Sequence, residues 1–526
     1  YTNILAILAI VREAQARGAE VLYLIRPPRG VAEVLRSRFR VSVERPARGL
    51  GLLSLMHRLL GRMRFLLRVC EAKLASRYYY RRPHQKMDVA LQGFWDWSVF
   101  PDEASFGQLR DRYFGKLPDE LRKRGKRVGH WCWYDSWNRP GRSRRHHKEV
   151  LTPLQTREDV LILQSLLTLR EVIAAVLDFR ALLVILSIAW KRVFKDVFVR
   201  HGLNFYPLFR LPLVSGCMGS EMPQCRLFER AAARAQAETR PQLMICFLEH
   251  FPPSRAIYAG LQGGDTRSWA MQHASYNLGK TFVALHPYKE FAPQEDGQSV
   301  PHPDRVCVMG ELGERLFRGC GYEQDQVLLT GSARFDHVHL PKDGAKSPAT
   351  ATRNRGCVNV LIATSLPART DFLLAEASVA ACKGLEDRIS LRLRQHPFDQ
   401  IEKQRGYSRI APWLEMSCNT LEEDFAWADL ILISQSTVGE EAFLAGKPVW
   451  QLRLPHPDQS ALVEVAAIPR FYTVPELHKA LNILVSTDET VQPSARAIED
   501  VYRGLFQTTN ERPSTAIAGA ICMEFR

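Results

Sequence analysis

Apolar residues along this chain fall into short Val/Ile/Leu-rich runs, separated by stretches whose apolar positions lie three or four apart. The first pattern suits a strand buried on both faces, the second a helix that covers it. The chain opens with a helix-like ILAILAIVREAQARG and a strand-like AEVLYLI. DVALQGFWDW and RVGHWCWYDSW each read as a strand running into an aromatic and acidic tip, with a helical stretch around FGQLRDRYFGKLPDELRKRG between them. From Glu149 to Lys195 the pattern is helical, which predicts an insertion at about 149–200. QLMICFLEH, PPSRAIYAGLQ and TRSWAMQHAS then read as strand, helix and strand. The polar, proline-rich APQEDGQSVPHPDR is the best linker candidate.

A second alternating series follows it. RVCVMG, QVLLTG, CVNVLIATS, ISLRLRQHP, DLILISQS and KPVWQLR are strands, and ELGERLFRGCG, DFLLAEASVAACKGL, LEEDFAWA, VGEEAFLAG and VPELHKALNILV are helices. The chain closes in helical sequence around SARAIEDVYRGLF. This rhythm predicts an α/β protein with two doubly wound parallel sheets: 1–298, 299–495, and a terminal helical segment at 496–526 that packs back on the first domain.

Composition changes this picture little. The chain's 526 residues are too many for one ordinary core, and 46% hydrophobic with 24% charged residues is globular. It opens on Tyr1 rather than Met, so a start upstream is expected; no signal peptide pattern is visible. The 11 cysteines are scattered without zinc spacing, which suits a reducing cytoplasm and core positions. A net charge of +15 suits anionic partners, whether nucleic acid, anionic lipid or phosphorylated substrates. No nucleic-acid module is recognisable, so a nucleic-acid partner is not expected. ALLVILSIAW, with basic flanks, is too short to span a bilayer and suits a buried or interfacial helix.

In doubly wound sheets, ligands bind beyond the carboxyl ends of strands. There the second half carries Gly331 and Arg334, then Thr364 and Ser365, then Arg394, His396 and Pro397, and finally Ser434, Ser436, Thr437 and Glu440. Hydroxyls at a helix start cap it or help hold a phosphate, and Glu440 suits either the helix dipole or a ribose hydroxyl. Together these groups suit a nucleotide mono- or diphosphate. The first half differs. Glu249 with His250, Gln272 with His273, Asp96 and Asp135 stand beyond strands beside Trp131, Trp133 and Trp137. Carboxylates and rings suit sugar handling, and packing is the plainer role for the tryptophans.

VLLTGSARFD, RLRQHPFD and ADLILISQSTVGEEAFLAGKPV, in that order, resemble the C-terminal half of GT-B glycosyltransferases. The nearest group contains Kdo transferases, sialyltransferase-like enzymes and CDP-glycerol glycerophosphotransferases. CFLEHFPPSRAIYAGLQ and WAMQHAS are similar to the matching segment of surface carbohydrate biosynthesis proteins. The resemblance implies two Rossmann-like domains facing across a cleft and a nucleotide-sugar donor as substrate. It implies no cofactor and no metal. The donor would lie on His396, Pro397, Ser434, Ser436 and Thr437. Glu249 would be the carboxylate facing the reacting sugar carbon, as base or nucleophile, with His273 lining the cleft. The expected activity is transfer of a CMP-activated acidic sugar to a glycan or lipid-linked acceptor, by a cytoplasmic enzyme peripheral to an anionic membrane. A polyol-phosphate transferase, a nucleotide-sugar epimerase and a basic scaffold are the alternatives.

Overall fold

A computed structural model describes residues 11, 21–25, 31–36, 39–44, 52–80, 86–101, 109–134, 144–190, 199–200, 203–277, 285, 287–292, 299–338, 356–365, 368–396, 401–454, 460–487, 492–507 and 511–525. The opening helix expected at 4–18, apart from Val11, lies outside them, as do Asp135, Trp137 and Pro397. The chain divides into two compact units, 1–100 with 129–242 and 251–266, and 101–128 with 243–250 and 267–526.

In the first unit, Val21–Ile25 pairs in parallel with Arg40–Glu44. Val128–Tyr134 pairs in parallel with Val160–Ile162. The second of these strands interrupts a stretch expected to be wholly helical. Up to Trp190 the α-helices are Arg144–Leu151, Leu169–Leu177 and Arg180–Trp190, and Val199–Arg200 is a second short strand. Three apolar residues in a row read equally well as one helical turn, and here the neighbouring strand decides. Trp131 and Trp133 are fully buried, and Trp133 stacks on Phe228 at 4.3 Å. These two rings pack the core. Arg62 is fully buried on helix Leu52–Tyr79. Its guanidinium donates to the carbonyls of Val176, Cys217 and Asp178, so it closes the carboxyl end of helix Leu169–Leu177.

The second unit contains two runs of parallel strands. Leu243–Cys246, Arg267–Met271, Arg305–Val308 and Val327–Leu329 pair side by side in chain order. The polar segment read as a linker therefore joins two neighbouring strands of one sheet. The other sheet has six parallel strands, ordered Glu415–Met416, Ile389–Arg394, Val358–Ala363, Leu430–Ile433, Val449–Leu452 and Arg470–Phe471. The residues expected helical around Leu109 include a short strand, Leu109–Asp111, before helix Leu117–Lys123.

Alternation in the six-stranded sheet shows why it is wound on both faces. Val358, Val360, Ile362, Leu430 and Leu432 enter a core with helices Ala368–Ala381 and Val474–Thr487. Leu361, Ala363, Ile431 and Ile433 enter the opposite core with helices Val438–Leu444 and Ala495–Leu505. Successive side chains point to opposite faces, so a strand apolar at every position needs cover on both. The predicted α/β class, with doubly wound parallel sheets, is what the chain forms.

Candidate functional site

The order of the six-stranded sheet reverses at Val358–Ala363, which has Ile389–Arg394 on one side and Leu430–Ile433 on the other. A crevice opens at such a switch point because consecutive crossovers leave to opposite faces. Thr364, His396, Ser434 and Ser436 follow these three strands, and the structure brings them together. The His396 amide donates to Thr364 Oγ1 at 3.0 Å. Ser436 Oγ donates to the Thr364 carbonyl at 2.9 Å and accepts from the Val438 amide at 3.3 Å. Ser436 thus caps a helix and ties two strand ends. The Ser434 carbonyl accepts from Gln451 Nε2 at 2.7 Å. The Ser365 amide donates to Asp371. Thr437 is the last residue before helix Val438–Leu444, and its side chain makes no capping bond.

Burial, and then the positive field of Arg334, depress the pKa of His396 to about 4. Its imidazole is therefore neutral at neutral pH. Arg394 is engaged elsewhere, donating to Asp424 Oδ2 at 2.6 Å and to the Asn419 carbonyl. Arg392, on the same strand face, lies 3.5 Å from Asp424 and 3.9 Å over the Trp427 ring.

A second cluster forms beyond Leu243–Cys246 and Arg267–Met271. Glu249 has a positive φ of 30° and a fully buried side chain. Backbone strain at a buried acid needs compensation from its surroundings, and it gets it. Oε1 accepts from the His273 amide at 2.8 Å, and Oε2 from the Tyr276 hydroxyl at 2.8 Å. His273 Nδ1 lies 3.3 Å from both carboxylate oxygens and 3.2 Å from the Tyr276 hydroxyl. The carboxylate is enclosed, and the imidazole, partly exposed, is the outer member of the pair. Burial first, and then Glu249, push the pKa of Tyr276 well above its ordinary range.

Arg334 Nη1 donates to the His273 carbonyl at 3.1 Å, and its guanidinium lies 5.5 Å over the Tyr113 ring. Tyr113 stacks on Phe247 at 4.0 Å and meets His273 edge-on at 5.6 Å. Gly331, with φ 74°, makes the turn that delivers Arg334; a Cβ there would lie 2.9 Å from Pro513. The two clusters meet through Ser275, whose hydroxyl lies 2.6 Å from both carboxylate oxygens of buried Glu440. His337 bonds Glu441 at 3.0 Å, which raises its pKa.

The sequence reading missed Tyr113, Phe247, Ser275, Tyr276 and Asp424. Tyr276 and Ser275 had one available signal, their place just after the His273 strand end in QHASY. Among the described residues, no group of three His, Cys, Asp or Glu side chains is placed to hold a metal ion. No described helix is long and apolar enough to cross a membrane.

No known family and no curated protein matches the sequence. Solved structures similar in shape include UDP-GlcNAc 2-epimerase from Neisseria meningitidis bound to UDP-GlcNAc, at 11% identity and TM-score 0.41, covering 83% of this chain and 98% of that one. The glycotransferase of kitacinnamycin matches at 13% identity and TM-score 0.43, covering 85% of this chain and 100% of that one. The wall teichoic acid polymerase TagF, in a variant soaked with CDPG, matches at 11% identity and TM-score 0.40, covering 90% and 98%. Likeness this distant assigns no activity.

Proposed function

We propose that this chain is a glycosyltransferase of surface-polysaccharide biosynthesis. It moves a sugar from a nucleotide donor, a CMP-activated acidic sugar such as Kdo or a sialic-acid-like sugar, to a glycan or lipid-linked acceptor. One observation carries the reading: the Glu249–His273–Tyr276 cluster is joined, through Ser275 and Glu440, to the switch-point crevice of the six-stranded sheet. A proton acceptor thus stands beside the place where such sheets hold nucleotides.

In this reading His273 takes the proton from an acceptor hydroxyl, and Glu249 orients the imidazole and balances the charge it gains. The acceptor oxygen bonds the sugar carbon as the bond from that carbon to the phosphate oxygen breaks. The electron pair leaves on the nucleotide phosphate, opposite Arg334. Glu249, enclosed by its hydrogen bonds, serves as a positioning residue and not as the nucleophile. The displacement is therefore single, with inversion.

A thermal-melt panel with CMP, CDP, UDP, GDP and ADP tests the donor. A ligand held only by the folded chain, at about a hundred times its dissociation constant, adds about 2.7 kcal/mol. A shift with CMP alone supports the acidic-sugar donor. A shift with CDP moves the reading to polyol-phosphate transfer, and one with UDP to a hexose transferase or epimerase. No shift with any of them rejects a nucleotide-dependent enzyme.

A further inference from the structure

Helix Leu52–Tyr79 in the first unit is apolar on two opposite faces. One face, with Phe65, Val69, Ala72 and Ala75, is buried. The other carries Met56, Leu60, Met63, Leu67, Leu74 and Tyr78, all exposed, with Leu67 at 67% and Tyr78 at 73%. Most of these positions follow each other at three or four, so they form one line along the helix, about 33 Å long at 1.5 Å per residue. Large apolar side chains left in water along a whole helix mark a surface that something covers.

Helix Leu169–Leu177 shows the same pattern, with Leu169, Ile173 and Leu177 exposed at every fourth position. The two lines meet. Leu74 and Leu169 line one groove of about 500 Å³ together with Lys73, Arg77, Tyr80 and Ser165. Helix Arg180–Trp190, the segment that sequence alone offered to a membrane, adds exposed Leu183 and Val184.

Charge identifies the occupant. Arg64 and Arg77 are exposed beside the line, and Arg68 and Lys73 are half-buried. Glu71, the helix's acid, bonds His147 Nε2 at 2.8 Å. An apolar line bordered by Lys and Arg is the form of a helix that lies in the plane of a membrane interface. A second copy would set these cations against one another, and the whole chain carries +15.

We propose that helices Leu52–Tyr79 and Leu169–Leu177 seat on an anionic phospholipid bilayer. The apolar line enters the boundary between headgroups and acyl chains. The groove between Leu74 and Leu169 takes a lipid phosphate against Lys73 and Arg77.

The test is cosedimentation of the full chain with vesicles of phosphatidylcholine alone, or of an equal mixture with phosphatidylglycerol. The chain is expected to sediment with the anionic vesicles, to stay in solution with the neutral ones, and to release at high salt. Leu60→Glu with Leu67→Glu is expected to weaken binding on the order of a hundredfold, since each buried leucine contributes at least tenfold. Arg64→Glu is expected to weaken it at least fivefold. All three positions are exposed, so an unchanged melting curve shows that the variants fold. No binding to anionic vesicles, equal binding to neutral ones, or full binding by the double variant would overturn the proposal. So would dimerisation that the double variant abolishes without any vesicle binding, which would assign the face to a second copy. No nucleotide enters the assay, so its failure leaves the donor reading untouched.

Discussion

Replacing Glu249 by Gln tests the centre of the proposed mechanism with the smallest change of shape. An amide can keep the contacts that hold the loop. Its carbonyl oxygen accepts the His273 amide, now 2.8 Å from Oε1. Its NH2 then faces Tyr276, whose hydroxyl turns to donate to His273 Nδ1, 3.2 Å away. What disappears is the negative charge 3.3 Å from Nδ1. At that distance, and an effective dielectric of about 20, unit charges attract by about 5 kcal/mol. A neutral hydrogen bond recovers about 1 kcal/mol of that. The imidazolium formed as His273 accepts a proton therefore loses about 4 kcal/mol of support, a rate factor of about 10³. The assay is release of nucleotide from the donor, paired with calorimetric titration of the nucleotide alone. The expected result is turnover down about a thousandfold with the dissociation constant within a factor of two or so of wild type. Turnover above a tenth of wild type would refute the argument. A comparable loss of nucleotide affinity would show that Glu249 holds the pocket and does not serve the base.

The remaining predictions concern stability. His396 is held down to about 4 against an ordinary 6.5, so the unfolded chain takes up a proton first as pH falls. Its contribution is therefore constant above about pH 6.5 and declines toward pH 4, by about 2 to 3 kcal/mol. Unfolding free energies of wild type minus His396→Gln should fall by that amount across this window, and a flat difference rejects it. Asp424→Asn leaves Arg394 facing a neutral amide, while Arg392 keeps its closer partner Glu415 at 2.8 Å. It should lower the denaturation free energy by about 1.5 to 3 kcal/mol, the range of a hydrogen bond between charged groups, with a loss below 1 kcal/mol counting against the pairing. Gly331→Ala forces a side chain into φ 74° and against Pro513. It should cost at least about 1 to 2 kcal/mol, read as a lower melting temperature, and an unchanged one contradicts the turn assigned to it.

The six-stranded sheet was legible because each central strand is apolar at consecutive positions and ends at a small or hydroxyl residue. VNVLIA before Thr364 and LILI before Ser434 leave little alternative to a strand with cover on both faces. The short strands were not legible. LRD at Leu109–Asp111 and VLI at Val160–Ile162 are strands because a neighbour pairs with them, a fact absent from three residues of sequence. The segment 292–305 shows a different gap. Proline and polar residues announce a loop, but they do not tell which sheet the next strand joins, and Arg305–Val308 joins Arg267–Met271. At the site, the strand-end residues were visible one by one, and their allegiances were not. Glu249 reads as an acid facing a cleft until Tyr276 and the His273 amide enclose it. Both partners lie over twenty residues away.

Counting cations by sequence also misplaces the charge that an anionic donor would meet. Arg392 and Arg394 stand at the right strand, yet both are drawn to Asp424, which arrives on helix Leu421–Trp427. Their field at the crevice is offset by that buried carboxylate together with Glu415, 2.8 Å from Arg392. His396 is at the switch point and neutral, so it offers a hydrogen bond and no charge. Arg334 is different. Among the described residues it forms no ion pair, it is held by the His273 carbonyl and two rings, and its positive field reaches His396, Tyr276 and Tyr113. A guanidinium oriented by a neutral carbonyl and by aromatic faces keeps its full charge, whereas one oriented by a carboxylate does not. The turn at Gly331 therefore matters more to an anionic ligand than the more conspicuous basic strand beside it, and the loop Gly331–Asp336 links the His273 cluster to the switch-point crevice.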